Sequence, residues 1–290
     1  MTTYFEYDSF GDRSDRPLLL IMGLGAQMIL FDEDICRDLA GRGHYVIRFD
    51  NRDIGLSTKF EEAGIPDLLD LIGKWMMGEK VSAPYTLDDM ADDSVGLLDA
   101  LGIRKAHILG TFMGGMIAQT IAIRHTSRIL SLISTYSSTG NPELPQPKPE
   151  IVGLLMTPPP DEREANIEHT LGVFKAIAGP GFPFDEKWTR KIMAESYDRS
   201  FYPQGKTRQL TAIIAHGDRG PALASVKVPT LVIHGTDDPA MLVEAGKDTA
   251  KAIPGAELLL IEGMGHDLPH GGAWSQIIEA VTAFTAKVPA

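Results

Sequence analysis

The chain has 290 residues, 43% of them hydrophobic, and a formal net charge of −12. That length suits one large domain or a core carrying an inserted subdomain, and the apolar fraction is ample for burying a core. The acidic balance argues against nucleic acid or an anionic membrane surface as partner, since both need a basic patch.

The one cysteine, Cys36, excludes an internal disulfide and a cysteine-built metal site. Its setting, Ile35-Cys36-Arg37-Asp38-Leu39, is an amphipathic helical stretch in which it reads as a buried structural residue. Residues 1–8 are polar and aromatic and lack an apolar signal-peptide core. No run reaches the roughly 18 apolar residues of a membrane span. A cytoplasmic enzyme of bacterial type is expected.

In chain order, Leu18 to Met22 is a continuous apolar run that predicts a strand, followed by a helix over Asp34 to Gly41. A second strand is expected at Tyr45 to Phe49, then a helix from Thr86 to Leu101 whose early carboxylates favour the positive end of the helix dipole. His107 to Leu109 predicts a third strand, Met113 to His125 a helix, and Leu130 to Ser134 a fourth strand. Apolar strands without alternation, separated by helices, imply an α/β fold with a mostly parallel sheet covered on both faces.

From about residue 138 the texture changes. Seven prolines fall between 142 and 160, and helical patterns at Glu162 to Ile177 and Asp185 to Tyr202 follow with no strand between them. This predicts a helical cap insertion over residues 138–206, with residues 1–137 and 207–290 forming the core. Strands return at Pro229 to His234 and Glu257 to Ile261, and an amphipathic helix, Trp274 to Ala286, closes the chain.

Residues 106–115 read Ala-His-Ile-Leu-Gly-Thr-Phe-Met-Gly-Gly. This is the strand-to-helix turn that exposes a nucleophilic serine above the sheet, with Phe112 at the serine position. The N–H of Met113 opens the following helix and would be one donor of an oxyanion hole. Two later strand ends carry His234-Gly235-Thr236-Asp237-Asp238-Pro239 and Glu262-Gly263-Met264-Gly265-His266-Asp267. The order is elbow, then acid, then histidine, so Asp238 would orient His266 and His266 would act as general base. A lone Asp-Asp-Pro is more often a turn, and a lone Gly-His more often structural. Their joint occurrence in this order, each just after an apolar strand, carries the reading.

These segments, together with Leu18 to Gly25 and Arg48 to Ser57, make the chain resemble the α/β-hydrolase-fold esterases over nearly its whole length. Met22-Gly23 at the first strand end and the Asn51-Arg52-Asp53-Ile54-Gly55 loop are similar to the branch containing aclacinomycin methylesterase. The resemblance implies hydrolysis of carboxylic esters, with Leu24 and Met113 as backbone oxyanion donors, Asp238 as the acid and His266 as the base. The chain departs from the family at Phe112, where serine stands, and after Asp238, where Pro239-Ala240-Met241-Leu242 replaces a common Val-Pro.

Phenylalanine has no nucleophilic atom, so the chain is expected to be an inactive or strongly impaired esterase. Thr111 should point away from the exposed face of the elbow, and Ser57, Ser137 and Ser138 do not sit on a nucleophile turn. A metal is not expected either, because Pro269 denies His266 and His270 a shared helix face. Two alternatives remain: a pseudoenzyme that binds a ligand, and an Asp238–His266 dyad that abstracts a proton in lyase or cofactor-free oxygenase chemistry. No cofactor is implied.

Candidates for the pocket wall are Met28, Phe174, Phe182, Trp188 and Met193, several of which also suit a plain core between cap helices. Methionines beside the catalytic loops adapt to irregular apolar ligands. The partner expected is a small-molecule ester or other apolar ligand, with a homodimer compatible with the sequence.

Overall fold

The computed structural model describes residues 3–267 and 273–288. Its first half runs β1 (Tyr7–Phe10), β2 (Arg16–Ile21), α1 (Glu33–Gly41), β3 (His44–Phe49), α2 (Leu68–Met76), α3 (Leu87–Ala100), β4 (Ala106–Thr111), α4 (Met113–Arg124) and β5 (Ile129–Thr135). Four longer helices follow, α5 (Pro149–Met156), α6 (Arg163–Ile177), α7 (Glu186–Arg199) and α8 (Pro203–His216), with a short α9 (Gly220–Leu223). The chain then returns to the sheet through β6 (Thr230–Gly235), α10 (Val243–Ala252), β7 (Glu257–Ile261) and α11 (Ala273–Ala286).

The strands form one sheet in the order β1-β3-β2-β4-β5-β6-β7, parallel throughout except for β1 against β3. Successive side chains on a strand point to opposite faces. Leu19 and Ile21 therefore join Ile47, Ile108 and the residues of α3 and α4, while Leu18 and Leu20 join Val46, Leu109, Cys36 and the residues of α1 and α11. Both faces are buried, which is why these strands read as unbroken apolar runs. Cys36 is fully buried, as its helical setting suggested.

Two departures from the sequence expectation have physical causes. The strand β1 lacks an apolar run because it lies at the sheet edge with its side chains only partly covered, and Asp8 there pairs with Arg48 at 2.8 Å. The helix α7 stops at Arg199 rather than running to Tyr202, because Pro203 opens α8. Proline lacks the N–H a helix interior needs but suits the first helical position. The helix α8 then continues past Lys206 to His216.

Between β5 and α8, helices α6 and α7 bury Ile167, Ile192 and Met193 against each other, with Ile29 and Leu30 of the core packed on them. In a parallel sheet all the strand carboxyl ends lie on one edge. The loops after β2, β4, β5, β6 and β7 therefore converge beneath these helices. No helix among the described residues is long and apolar enough to cross a membrane.

His107 in β4 is fully buried, shares one hydrogen bond of 2.7 Å with Ser131 Oγ, and leaves Nε2 without a partner. Burial pushes its pKa down from 6.5 to about 4, with His44 and Arg16 acting in the same direction. The unfolded chain therefore takes up a proton below 6.5 that the folded chain refuses until about 4, so stability is lost as pH falls through that window. Urea denaturation at pH 7 and pH 5 should show a larger drop for the parent than for His107→Gln; equal drops would sink this assignment.

Candidate active site

The turn from β4 into α4 is set by two close backbone approaches. A Cβ on Gly114 would lie 1.9 Å from Ile21 O, and one on Gly110 would lie 2.0 Å from Gly114 O. Only glycine lets α4 begin so near β2 and β4, and Phe112 between them is forced to φ 48° and ψ −112°. For a bulky residue that is a strained conformation. It is held on both sides, since Phe112 N–H donates to Thr135 O at 3.0 Å while Phe112 O accepts from Ser137 Oγ at 2.7 Å.

Asp238 and His266, far apart in sequence, meet with Oδ2 2.7 Å from Nδ1. The other carboxylate oxygen, Oδ1, accepts N–H bonds from Ala240 at 2.9 Å and Met241 at 2.7 Å, so the Pro239-Ala240-Met241-Leu242 loop secures the acid in a single orientation. His234 Nε2 in turn bonds Met241 O at 2.7 Å, and burial lowers its pKa, keeping it neutral beside the acid. With Nδ1–H donated to Asp238, the imidazole of His266 presents Nε2 as the basic atom.

Two rings flank that imidazole edge to face. Phe112 lies 5.0 Å from it between centroids and Tyr136 lies 4.8 Å from it. Phe112 also abuts the turn after β2, where a Cβ on Gly23 would be 3.4 Å from Phe112 Cβ and 3.7 Å from Cδ1. The ring thus spans from the histidine to the turn carrying Leu24. That turn is tied down by Asn51 Nδ2 donating to Met22 O at 3.0 Å and Gly25 N–H donating to Gln209 Oε1 at 2.9 Å. Met113, the first residue of α4, has an N–H with no acceptor inside the helix.

Two residues at the site carry no motif in the sequence. Tyr136, at φ 35°, directly follows β5 as Phe112 follows β4, and its place at a strand carboxyl end was the available signal. Asp267 is next to His266, and its Oδ1 is buried without a hydrogen-bond partner. Burial pushes its carboxyl up to about 6; Asp238 acts in the same direction and His266 opposes it.

None of the alternative hydroxyls stands free at the elbow tip. Thr111 is buried with Oγ1 3.7 Å from Met22 Sδ, Ser57 Oγ donates to Asp50 O at 2.6 Å, and Ser138 Oγ accepts from Gly140 N. Of the wall candidates, Phe182 packs on the cluster that includes Met264 and touches Phe112. Phe174, Trp188 and Met193 belong to the small core between α6 and α7. Met28 is buried with its N–H on Asp50 Oδ1 at 2.9 Å. His270 falls outside the described residues, among which no group of three side chains could hold a metal ion. A cavity of about 320 Å³ lies behind the elbow, walled by Met116, Ser138, Ile213, Arg219 and Met241, without contribution from Phe112 or His266.

A parallel sheet with a strand-to-helix elbow after β4, an acid after β6 and a histidine after β7 has the arrangement of the nucleophile-elbow hydrolases. The chain belongs to the alpha/beta hydrolase fold family, which it matches over residues 16–273. It is 28% identical over 288 residues to the rhodomycin D methylesterase DauP of Streptomyces sp. (strain C5), covering 90% of this chain and 88% of that one. A similar relation holds to the rhodomycin D methylesterase DnrP of Streptomyces peucetius, at 28% identity over 283 residues, covering 90% and 88%. These relatives agree with the methylesterase branch expected from the motifs. Among solved structures, esterase RhEst1 from Rhodococcus sp. ECU1013 superposes with a TM-score of 0.73 at 21% identity, covering 99% of this chain and 96% of that one.

The raised pKa of Asp267 has a defined consequence for stability. Its contribution is fully present below 3.8 and is lost as pH rises through about 6, where the buried carboxyl must ionise. Asp267→Asn removes that penalty, so the variant should gain more stability over the parent at pH 8 than at pH 4.5 in chemical denaturation. A gain that does not change with pH would contradict the assignment.

Proposed function

We propose that the chain is a carboxylic-ester hydrolase scaffold for apolar or aromatic esters, in which Phe112 stops Ser-His-Asp-type acyl transfer at its first step. The observation that carries the reading is the intact Asp238–His266 pair, 2.7 Å apart, with the Phe112 ring 5.0 Å from the imidazole where a hydroxyl would stand. In acyl transfer the base takes a hydroxyl proton as the oxygen attacks the ester carbonyl, and backbone N–H groups receive the developing oxyanion. His266 suits the first task, and the N–H groups of Leu24 and Met113 suit the second. Phe112 supplies no proton and no lone pair, so the sequence of events has no first bond to form.

Loss of a nucleophile in comparable triads leaves about 10³–10⁴-fold catalysis over water, from oxyanion stabilisation and binding. A ring reaching from His266 to the Gly23 turn also occupies the space of the scissile group, which lowers even that remainder. The apolar side chains around the turn, Met113, Met264 and Phe182, favour an apolar or aromatic acid component. The names of the two methylesterase relatives support a small alcohol as the leaving group. Residues 138–206 would act as the cap that selects the substrate.

The same pair favours a second reading. An imidazole flanked by Phe112 and Tyr136 could abstract a proton from a flat aromatic substrate stacked against them, without any nucleophile. The unmodified chain would then turn over substrate with dependence on His266.

Phe112→Ser is the decisive variant. Hydrolysis of short aryl or methyl esters should rise by about 10³-fold or more over the parent, and His266→Ala in the same chain should remove the gain. A folded Phe112→Ser protein with no gain over the parent would refute the esterase reading. Turnover by the unmodified chain that His266→Ala abolishes would favour the dyad instead.

A further inference from the structure

The loop that carries His266 is clasped from the cap side chiefly by backbone. Gly181 N–H donates to Gly263 O at 2.8 Å, and His266 N–H donates to Ile177 O at 2.9 Å. Ile177 is the last residue of α6, and Gly181 lies in the connection to α7. Between these two bonds, four glycines interleave. A Cβ on Gly179 would lie 2.1 Å from Gly263 O and 2.3 Å from Gly265 N, and one on Gly181 would lie 2.7 Å from Gly263 Cα. From the other side, a Cβ on Gly265 would lie 2.3 Å from both Gly179 N and Ile177 O.

Conformation favours glycine at Gly263, at φ 73°, but does not account for the other three. Gly179, Gly181 and Gly265 are not at positive φ, so an alanine could adopt each backbone. What excludes a side chain is the contact between the two segments. The opposite flank of the same loop rests on the strand end that supplies the acid. Asp237 N–H donates to Met264 O at 3.1 Å, Gly263 N–H donates to Thr236 Oγ1 at 2.9 Å, and a Cβ on Gly235 would lie 2.1 Å from Met264 O. The histidine loop is therefore sandwiched between the acid's strand end and the helical insertion.

On the side of the β2 turn the insertion adds side-chain anchors, Arg199 to Asp50 at 2.6 Å and Gln27 Nε2 donating to Ser196 O at 2.6 Å, beside a single close backbone approach, where a Cβ on Gly205 would lie 2.0 Å from Asp53 O. Side-chain pairs can follow a moving helix by rotamer changes. Backbone interleaved at glycines cannot, because neither strand of the contact has a flexible atom to give.

We propose that the segment 177–181 is a glycine latch that positions His266, so that the register of the cap sets the distance of the imidazole from Asp238. Ile177, Gly179 and Gly181 are positioning residues that act through the backbone of Gly263, Gly265 and His266. Movement of α6 against the sheet carries the base with it. A shift of about 1 Å at such a group is enough to lose about 10²-fold in rate. The catalytic consequence rests on the hydrolase reading above; the positioning itself does not.

The test reads the imidazole directly. In the unmodified chain, the Nδ1 proton held between His266 and Asp238 should give a low-field proton resonance. Gly179→Ala and Gly181→Ala should shift it or broaden it by exchange with water, while Gly172→Ala in α6, where a Cβ meets nothing within 4 Å, should leave it unchanged. In the Phe112→Ser chain, the two latch variants should lower kcat by about tenfold to a hundredfold with KM changed much less. If that chain does not hydrolyse esters, the resonance still decides the positioning claim. Should either variant fail to fold, amide exchange in the unmodified chain decides it. The Gly181 and His266 amides should then open together with matching protection. An unchanged resonance in folded latch variants, or independent exchange of those two amides, would overturn the latch.

Discussion

The site depends on one steric constraint, the approach of α4 to β2 at Gly114. With no Cβ there, the helix can start where any side chain would clash, since a Cβ would lie 1.9 Å from Ile21 O. The turn that results leaves residue 112 at positive φ, aimed out of the sheet and level with the loops that follow β2, β5 and β7. Strain of this kind is of the order of 1–3 kcal/mol and persists only where neighbours over-determine it. Here Thr135 O, Ser137 Oγ and the first turn of α4 all grip the backbone of Phe112, through its N–H and its carbonyl. The geometry belongs to the backbone, and it is present whatever side chain stands at the tip.

The base is over-determined in the same way, by different means. Asp238 spends one carboxylate oxygen on two backbone N–H groups and the other on His266. Its neighbour His234 is kept neutral by burial, so no second positive charge competes for that oxygen. The backbone of His266 is set by Ile177 on the insertion, and Phe112 and Tyr136 flank the imidazole in edge contacts. Elbow and base thus reach fixed positions through independent contacts, one inside the sheet and one between sheet and insertion.

The sequence shows these parts unequally. The runs at Leu18 to Met22 and Tyr45 to Phe49 are legible because both faces of the sheet are covered, and such strands cannot alternate. The strand β1 is not, because an edge strand with half-covered side chains has neither an apolar run nor a clean alternation. Phe112, Asp238 and His266 stand out because glycines and turn residues frame each of them at a strand end. Tyr136 and Asp267 do not, since their importance comes from what lies beside them in space. The same holds for the glycines at 179 and 181, which read as an inter-helix turn until the contact with Gly263 and Gly265 is seen. The break between α7 and α8 was marked by Pro203, yet the helical spacing of Trp188, Met193 and Tyr197 masks it until the backbone is traced.

Phe112 raises a balance between packing and chemistry. The glycine contacts impose the same elbow backbone on any non-glycine residue at this position, so phenylalanine does not escape its strain. What differs is the return from the side chain. The ring is partly buried and packs on both apolar clusters of the core, and burying a phenylalanine fully is worth about 1.5–3 kcal/mol. A fraction of that is comparable with the strain itself. A hydroxyl at the same place would recover none of it, since its value is realised only against a reacting carbonyl. The ring therefore turns a position that ordinarily stores strain for chemistry into one that offsets the strain by packing. On this argument the aromatic tip stabilises the folded chain at the expense of the bond-forming step, while the rest of the site keeps the arrangement that the step requires.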